Sequence, residues 1–355
     1  VPRDVKIGVV QRLPTRAGLE LQIVVNQPAG DAMNRIDTCR AAALCAMILL
    51  VANSTVAADL IKRTFVYKQV GELQIHADVY REDDGALRPI VVWIHGGALI
   101  MGHREGLPAR LKEAMLDAGC AVVSIDYRLA PETSLPQIVA DVEDALRWLH
   151  ERAERLFQGD ASRMAIAGGS AGGYLTLTAG FRAKPRPAAL VSFWGYGDLV
   201  GAWYSEPSPH ARHNSIKVTR EKAWQQVSAT PVADARDRRG DGGLFYLYCR
   251  QTGTWPKAVS GWDPRDEREK FIPYMPVHNV TADYPPTLLI HGQADTDVPH
   301  EQSEMMAREL ARHKVVHRFV SLPNAEHGLD GGDKAQIDAA YAEAFRFLRD
   351  KLGIK

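Results

Sequence analysis

The chain has 355 residues, 46% of them hydrophobic and 24% charged, enough to bury a full core as one large domain with an insertion or as two domains. Lysine plus arginine equals aspartate plus glutamate at 43 each. No global field therefore draws the protein to nucleic acid or to anionic lipid, and a small molecule is the expected partner.

Residues 1–32 carry no functional pattern, although Leu19 to Val25 has the composition of a strand. At Met33 the character changes. Arg35 and Arg40 flank a polar start, Ala41 to Ala52 is unbroken apolar sequence, and Val56-Ala57-Ala58 closes it with small residues. This is the layout of a secretory signal peptide cleaved after Ala58, which makes 33–58 a leader, 1–32 an upstream segment outside the fold, and the mature protein exported. The apolar run is about a dozen residues against the roughly 20 that a spanning helix needs, so no stable membrane insertion is expected after its removal. A buried amphipathic helix is the other reading, and it would leave the protein cytoplasmic. Cys39 and Cys45 would leave with the signal. No cysteine forms a C-x-x-C pair or has histidines at metal spacing, so no metal site is expected, and a Cys120–Cys249 bridge stays open.

Residues 59–355 read as the folded domain. Alternation over Phe65 to Val70 and Leu73 to Tyr80 predicts an antiparallel pair at a sheet edge. Apolar runs of buried-strand length follow at Ile90 to Ile94, Ala121 to Ile125, Met164 to Ala167, Leu190 to Phe193 and Thr287 to Ile290. Between them lie helical patterns, the clearest being Ile138 to Leu156, where Ile138, Val142, Ala145, Leu146, Leu149, Ala153 and Leu156 share one face. The alternation predicts an α/β fold, a mostly parallel central sheet with helices on both faces, and ligands beyond the carboxyl ends of its strands. The stretch of about 201–270 breaks the pattern. It is rich in Trp, Tyr, Arg, Asp and Gly, too long for an ordinary connection, and reads as a cap or lid inserted over the site.

Three motifs sit at predicted strand ends. His95-Gly96-Gly97-Ala98 follows Ile90 to Ile94, and a glycine-rich turn there aims backbone N–H groups at a developing oxyanion. His95 itself reads as a side chain that orients its loop. Asp126 to Glu132 follows Ala121 to Ile125, and its Asp126, Arg128 and Glu132 are expected to pair with each other and with nearby turns. Gly168-Gly169-Ser170-Ala171-Gly172-Gly173 follows Met164 to Ala167 and reads as strand, tight turn and helix, the G-x-S-x-G elbow that exposes a serine above the sheet.

In this order the three motifs resemble the hormone-sensitive-lipase-like carboxylesterases of the α/β-hydrolase superfamily, over about residues 65–355. The resemblance implies an α/β-hydrolase fold and a serine esterase acting through Ser170, with oxyanion donors from the backbone of Gly97, Ala98 and Ala171, and no cofactor. Ala98 stands where that group has a third glycine, and Gly169 where it has an acidic residue. His291-Gly292-Gln293-Ala294-Asp295-Thr296-Asp297-Val298-Pro299 looks instead like the dienelactone-hydrolase and prolyl-oligopeptidase branches.

The superfamily order Ser, Asp, His points to Asp295, just beyond Thr287 to Ile290, as the acid and to His327, after the strand Arg318 to Leu322, as the base. Asp297 is the alternative acid, otherwise a solvated loop or cap charge. His291 is too close to its strand, His300 begins a helix, and His317 starts a strand. Trp194, Tyr196, Trp203 and Tyr204, with Phe245 and Tyr246, are candidate walls of an acyl or alcohol pocket, or else pack the insertion onto the core. The expected activity is hydrolysis of small, short-acyl carboxylic esters. The alternatives are a prolyl-oligopeptidase-like peptidase or amidase and a non-catalytic binding protein on the same fold.

Overall fold

A computed structural model describes residues 59–354. The expected signal peptide at 33–58 and the upstream segment 1–32 lie outside the described residues, as do Cys39 and Cys45.

Eight strands form one sheet in the order β1-β2-β4-β3-β5-β6-β7-β8. These are β1 (Leu60–Val70), β2 (Leu73–Glu82), β3 (Arg88–Ile94), β4 (Ala121–Ile125), β5 (Gly159–Gly169), β6 (Ala189–Phe193), β7 (Thr287–Gly292) and β8 (His317–Leu322). β1 and β2 form the antiparallel edge hairpin, β2 also runs antiparallel to β4, and every pair from β4 to β8 is parallel. β5 begins five residues before the apolar stretch that betrayed it, because Gly159 and Asp160 already align with Arg88 and Pro89.

The helices between strands cover both faces. Along β3, Ile90, Val92 and Ile94 point into one core, and Val91 and Trp93 into the other. The first core is closed by α2 (Leu135–Phe157) and α3 (Ala171–Arg182), the second by α1 (Ala109–Asp117) and, at the end of the chain, the helix Lys334–Leu352. α2 shows why these residues become a helix. Ser134 and Gln137 make a capping box, Pro136 sits in the first turn, and the 3.6-residue spacing buries Ile138, Val142, Ala145, Leu146, Leu149 and Ala153. It stops where Gln158 turns left-handed at φ 50°. Burial of each valine, leucine or isoleucine among them contributes about 1.5–3 kcal/mol.

Between β6 and β7 the chain leaves the sheet for six short helices: α4 (Ala202–Ser205), α5 (Ala211–Asn214), α6 (Arg220–Trp224), α7 (Gly243–Thr252), α8 (Trp255–Ser260) and α9 (Arg268–Phe271). α10 (Glu301–Arg312) follows β7, and Lys334–Leu352 is α11. Cys120 and Cys249 are both free and buried, so the bridge between them is not made. No helix among the described residues is long and apolar enough to cross a membrane.

The chain goes from β3 to β4 on one side and then returns to place β5 on the other side of β3. Such a reversal opens a crevice at the carboxyl ends of the strands. The turns after β3 and β5 flank it.

Candidate active site

The turn after β5 is dictated by close approach. A Cβ on Gly172 would stand 2.0 Å from the Ile94 carbonyl oxygen, one on Gly168 2.3 Å from that of Gly172, and one on Gly96 2.8 Å from that of Gly169. Only glycines let β3, β5 and α3 come this near. Ser170 occupies the point of the turn at φ 56°, ψ −122°, a conformation a non-glycine residue adopts at a cost. Its N–H donates to Phe193 O at 2.9 Å and its carbonyl accepts from Tyr174 N at 3.0 Å, so the turn is held on both sides. By contrast, a Cβ on Gly169 would meet nothing closer than 3.4 Å.

His327, in the loop after β8, brings Nε2 to 3.0 Å from Ser170 Oγ and Nδ1 to 2.7 Å from Asp295 Oδ2. Asp295, in the loop after β7, has a fully buried side chain. Its Oδ1 accepts from the N–H groups of Asp297 and Val298 at 2.8 and 2.9 Å. Burial alone would raise the Asp295 pKa, but the hydrogen bonds from His291 and His327 outweigh it and hold the carboxyl at about 2. Burial likewise works against charge on His327, yet the Asp295 hydrogen bond and the charges of Asp297 and Asp295 leave its pKa raised. With Nδ1–H donating to the carboxylate, Nε2 is free to accept the serine proton.

Across the crevice, Gly97, Ala98 and Leu99 follow one another at φ 107°, 57° and 63°. Three left-handed residues in a row curl the chain so that the Gly97 and Ala98 amides face inward. Neither donates to a protein acceptor among the described residues. The Ala171 amide begins α3 and has no acceptor four residues back, so it is the third free donor. His95 supports this turn. Its Nδ1 donates to Gly96 O at 2.8 Å, its ring stacks on Tyr127 at 4.2 Å, and burial drives its pKa down to about 4.

Two sequence expectations need correction. Asp126, Arg128 and Glu132 do not pair with each other. Asp126 binds Arg104 at 2.6 Å, Arg128 binds Asp141 at 2.7 Å, and Glu132 binds Arg238 at 2.5 Å, because the chain turns so sharply here that each side chain faces a different element. Asp297 is not a solvated loop charge either. Its Oδ1 accepts from His213 Nε2 at 2.8 Å, from the Tyr246 hydroxyl and from Arg250 Nη1 at 3.3 Å, while Oδ2 lies 3.6 Å from His327 Nε2. The other histidines sit as expected: His291, in β7, is held by Ser303 Oγ and Val298 O with Nε2 also 3.2 Å from Asp295 Oδ2, His300 precedes α10, and His317 opens β8.

Among the aromatic candidates, Trp194 is edge-on to His327 at 6.3 Å. Tyr196 and Tyr204 are buried, and they join Trp203 and Trp255 in one cluster in which Trp203 stacks on Tyr204 at 3.5 Å and Tyr204 on Trp255 at 3.8 Å. Phe245 is buried as well, edge-on to Trp224. Trp255, which sequence reasoning missed, donates from Nε1 to Ala98 O at 2.9 Å and so pins the turn that carries the free amides. No spacing or motif marked it.

The BD-FAE family model matches residues 77–310, most of the chain. The chain belongs to the BD-FAE family. The fold of the chain is seen again in solved structures: an α/β-hydrolase superfamily protein from Enterococcus faecalis (24% identity, TM-score 0.61, 82% of this chain and 98% of that one) and a bacterial heroin esterase (23% identity, TM-score 0.59, 90% and 92%). This BD-FAE chain is thus an α/β hydrolase by fold. It is also 27% identical to part of a non-reducing polyketide synthase of Penicillium rubens, over 81% of this chain. It spans 14 or 15% of the length of the first curated relatives it matches.

Proposed function

We propose that the protein is a serine carboxylesterase that cleaves small, short-acyl esters through an acyl-enzyme. The observation that carries this reading is the unbroken path from Ser170 Oγ to His327 Nε2 at 3.0 Å and from His327 Nδ1 to Asp295 at 2.7 Å, opposite three unpaired amides. Ser170 Oγ attacks the ester carbon while Nε2 takes its proton. The carbonyl oxygen becomes an oxyanion held by the amides of Gly97, Ala98 and Ala171, each such donor being worth about 3–4 kcal/mol of barrier. Collapse expels the alcohol, which receives the Nε2 proton. Water then enters, loses its proton to Nε2 and releases the acid from Ser170. Trp194, edge-on to His327 at 6.3 Å, stands beside the reacting groups and supports a preference for small acyl groups.

A chain-length series of aryl esters, run on wild type beside Ser170→Ala, tests the reading. Hydrolysis falling with acyl length and abolished in the variant is expected, and equal rates in the two proteins would reject it. A matching anilide separates esterase from amidase, and a fluorophosphonate probe that fails to label the wild type would favour a non-catalytic binding protein. Export is proposed from the sequence of residues 33–58 alone. An intact Met33 to Ala58 segment in the soluble product would reject it.

A further inference from the structure

The carboxylate of Asp297 is divided between two neighbours. All its protein hydrogen bonds go to Oδ1, from His213 on α5 and from Tyr246 and Arg250 on α7. His213 can donate from Nε2 because its Nδ1 faces Ser208 Oγ at 2.8 Å. Oδ2 has no such donor among the described residues and lies 3.6 Å from His327 Nε2, the nitrogen that also reaches Ser170 Oγ. That nitrogen hands its proton to the departing alkoxide. The alcohol portion of an ester is therefore drawn to the side of Nε2 where Asp297 Oδ2 stands, while the carbonyl oxygen turns the other way, toward the amides of Gly97, Ala98 and Ala171.

Among the described residues, Arg250 is the one arginine or lysine paired with Asp297. Arg250 meets Oδ1, is only 2% exposed, and lies over the rings of Tyr204 at 4.9 Å and Trp203 at 5.6 Å. Its charge is taken up by Oδ1 and covered by these rings, whereas Oδ2 lies nearest His327 Nε2. A carboxylate oxygen in such a partly dehydrated crevice interacts with a ligand charge far more strongly than it would in bulk water.

We propose that Asp297 sets the charge specificity of the alcohol side of the site, favouring esters of cationic alcohols and rejecting esters whose alcohol carries a carboxylate. This rests on the esterase reading above. Selection of this kind is as much repulsion of the wrong partner as attraction of the right one.

The test compares kcat/KM for acetylcholine, its neutral carbon isostere neohexyl acetate, and the acetyl ester of γ-hydroxybutyrate, in wild type, Asp297→Asn and Tyr246→Phe. Asp297→Asn is expected to lower the cation-to-neutral ratio by about tenfold or more and to raise the anion-to-neutral ratio by a similar factor. Differences in intrinsic ester reactivity cancel, because each ratio is compared across enzymes. Tyr246→Phe removes one donor to Oδ1 and keeps the charge, so both ratios should stay within about threefold of wild type. Unchanged ratios in the Asn variant, or an equal change in Tyr246→Phe, would overturn the proposal and make Asp297 a strut for the segment above it. Should Asp297→Asn not accumulate as folded protein, the wild-type ratios decide: relative to hydroxide-catalysed hydrolysis of the same three esters the cation must be preferred and the anion disfavoured, and ratios equal to those of hydroxide overturn the proposal. Turnover of all three esters without regard to charge sinks this inference alone. Failure of the wild type to hydrolyse any of them, or an aryl acetate, sinks the esterase reading instead.

Discussion

The carboxyl rim of the sheet and the helical segment between β6 and β7 are built by different forces. At the rim, backbone meets backbone. Gly96, Gly168 and Gly172 stand where any side chain would strike a carbonyl oxygen, and Ser170 is forced out over the crevice as a result. The segment has no such lattice. It is seated by side chains: Trp255 on Ala98 O, Arg238 on Glu132 and the carbonyls of Ala130 and Ile100, and His213, Tyr246 and Arg250 on Asp297. The turn at Ser170 is held by local backbone, and the helical segment by long-range polar and aromatic contacts. The two regions should therefore fail differently.

Asp295→Asn strikes the rim and should produce the largest effect. The amide can no longer hold His327 in the tautomer that accepts from Ser170, and kcat should fall about 10⁴-fold. Because the fold holds this carboxyl at about 2, the variant should also lose about 2–3 kcal/mol of stability at neutral pH, and steady-state kinetics beside a melting curve would check both. A loss of activity no larger than the loss of folded protein would mean that Asp295 is structural.

Arg238→Ala strikes the seating of the segment. Its guanidinium and Glu132 are 1% and 3% exposed, and removing one partner leaves the other charge buried and unpaired. Urea unfolding should show a loss of about 3–5 kcal/mol. A variant as stable as wild type would mean that the segment does not depend on this ion pair.

The pH profile reads the rim and the segment together. His327 works as a base only when neutral. Its pKa is raised because the Asp295 hydrogen bond, with the charges of Asp297 and Asp295, outweighs burial. The acid limb of kcat/KM should accordingly lie above the free-histidine value of about 6.5, with activity falling about tenfold per pH unit below it. A rate flat from about pH 8 to about pH 5 would contradict His327 as the base. Asp297→Asn should move the limb to lower pH, since it removes one of the charges that favour the imidazolium.

Gly169→Ala should do least. Its Cβ would meet only ordinary contacts with Trp194 and Trp93, so stability should change by less than about 1 kcal/mol, unlike at Gly172. A large loss in Gly169→Ala would show that the turn tolerates no side chain anywhere.

The sequence alone determined the α/β alternation, the face of α2 and the elbow at Ser170, because each rests on local spacing or on a short motif at the end of a strand, whereas Asp295 and His327 as its partners followed from the resemblance to the α/β-hydrolase superfamily, since His327 lies 157 residues beyond Ser170. The strand limits were less complete: β5 is longer than its apolar centre, since polar residues extend a parallel pair without altering hydrophobic periodicity. Only the tertiary structure decided the partners of Trp255 and Asp297. The partners of Asp297 lie 84, 51 and 47 residues away, in a segment without a period. A carboxylate in a loop looks solvated until the chain that covers it is in place. The charge of a side chain is written in the sequence, but its desolvation is a property of whatever packs against it.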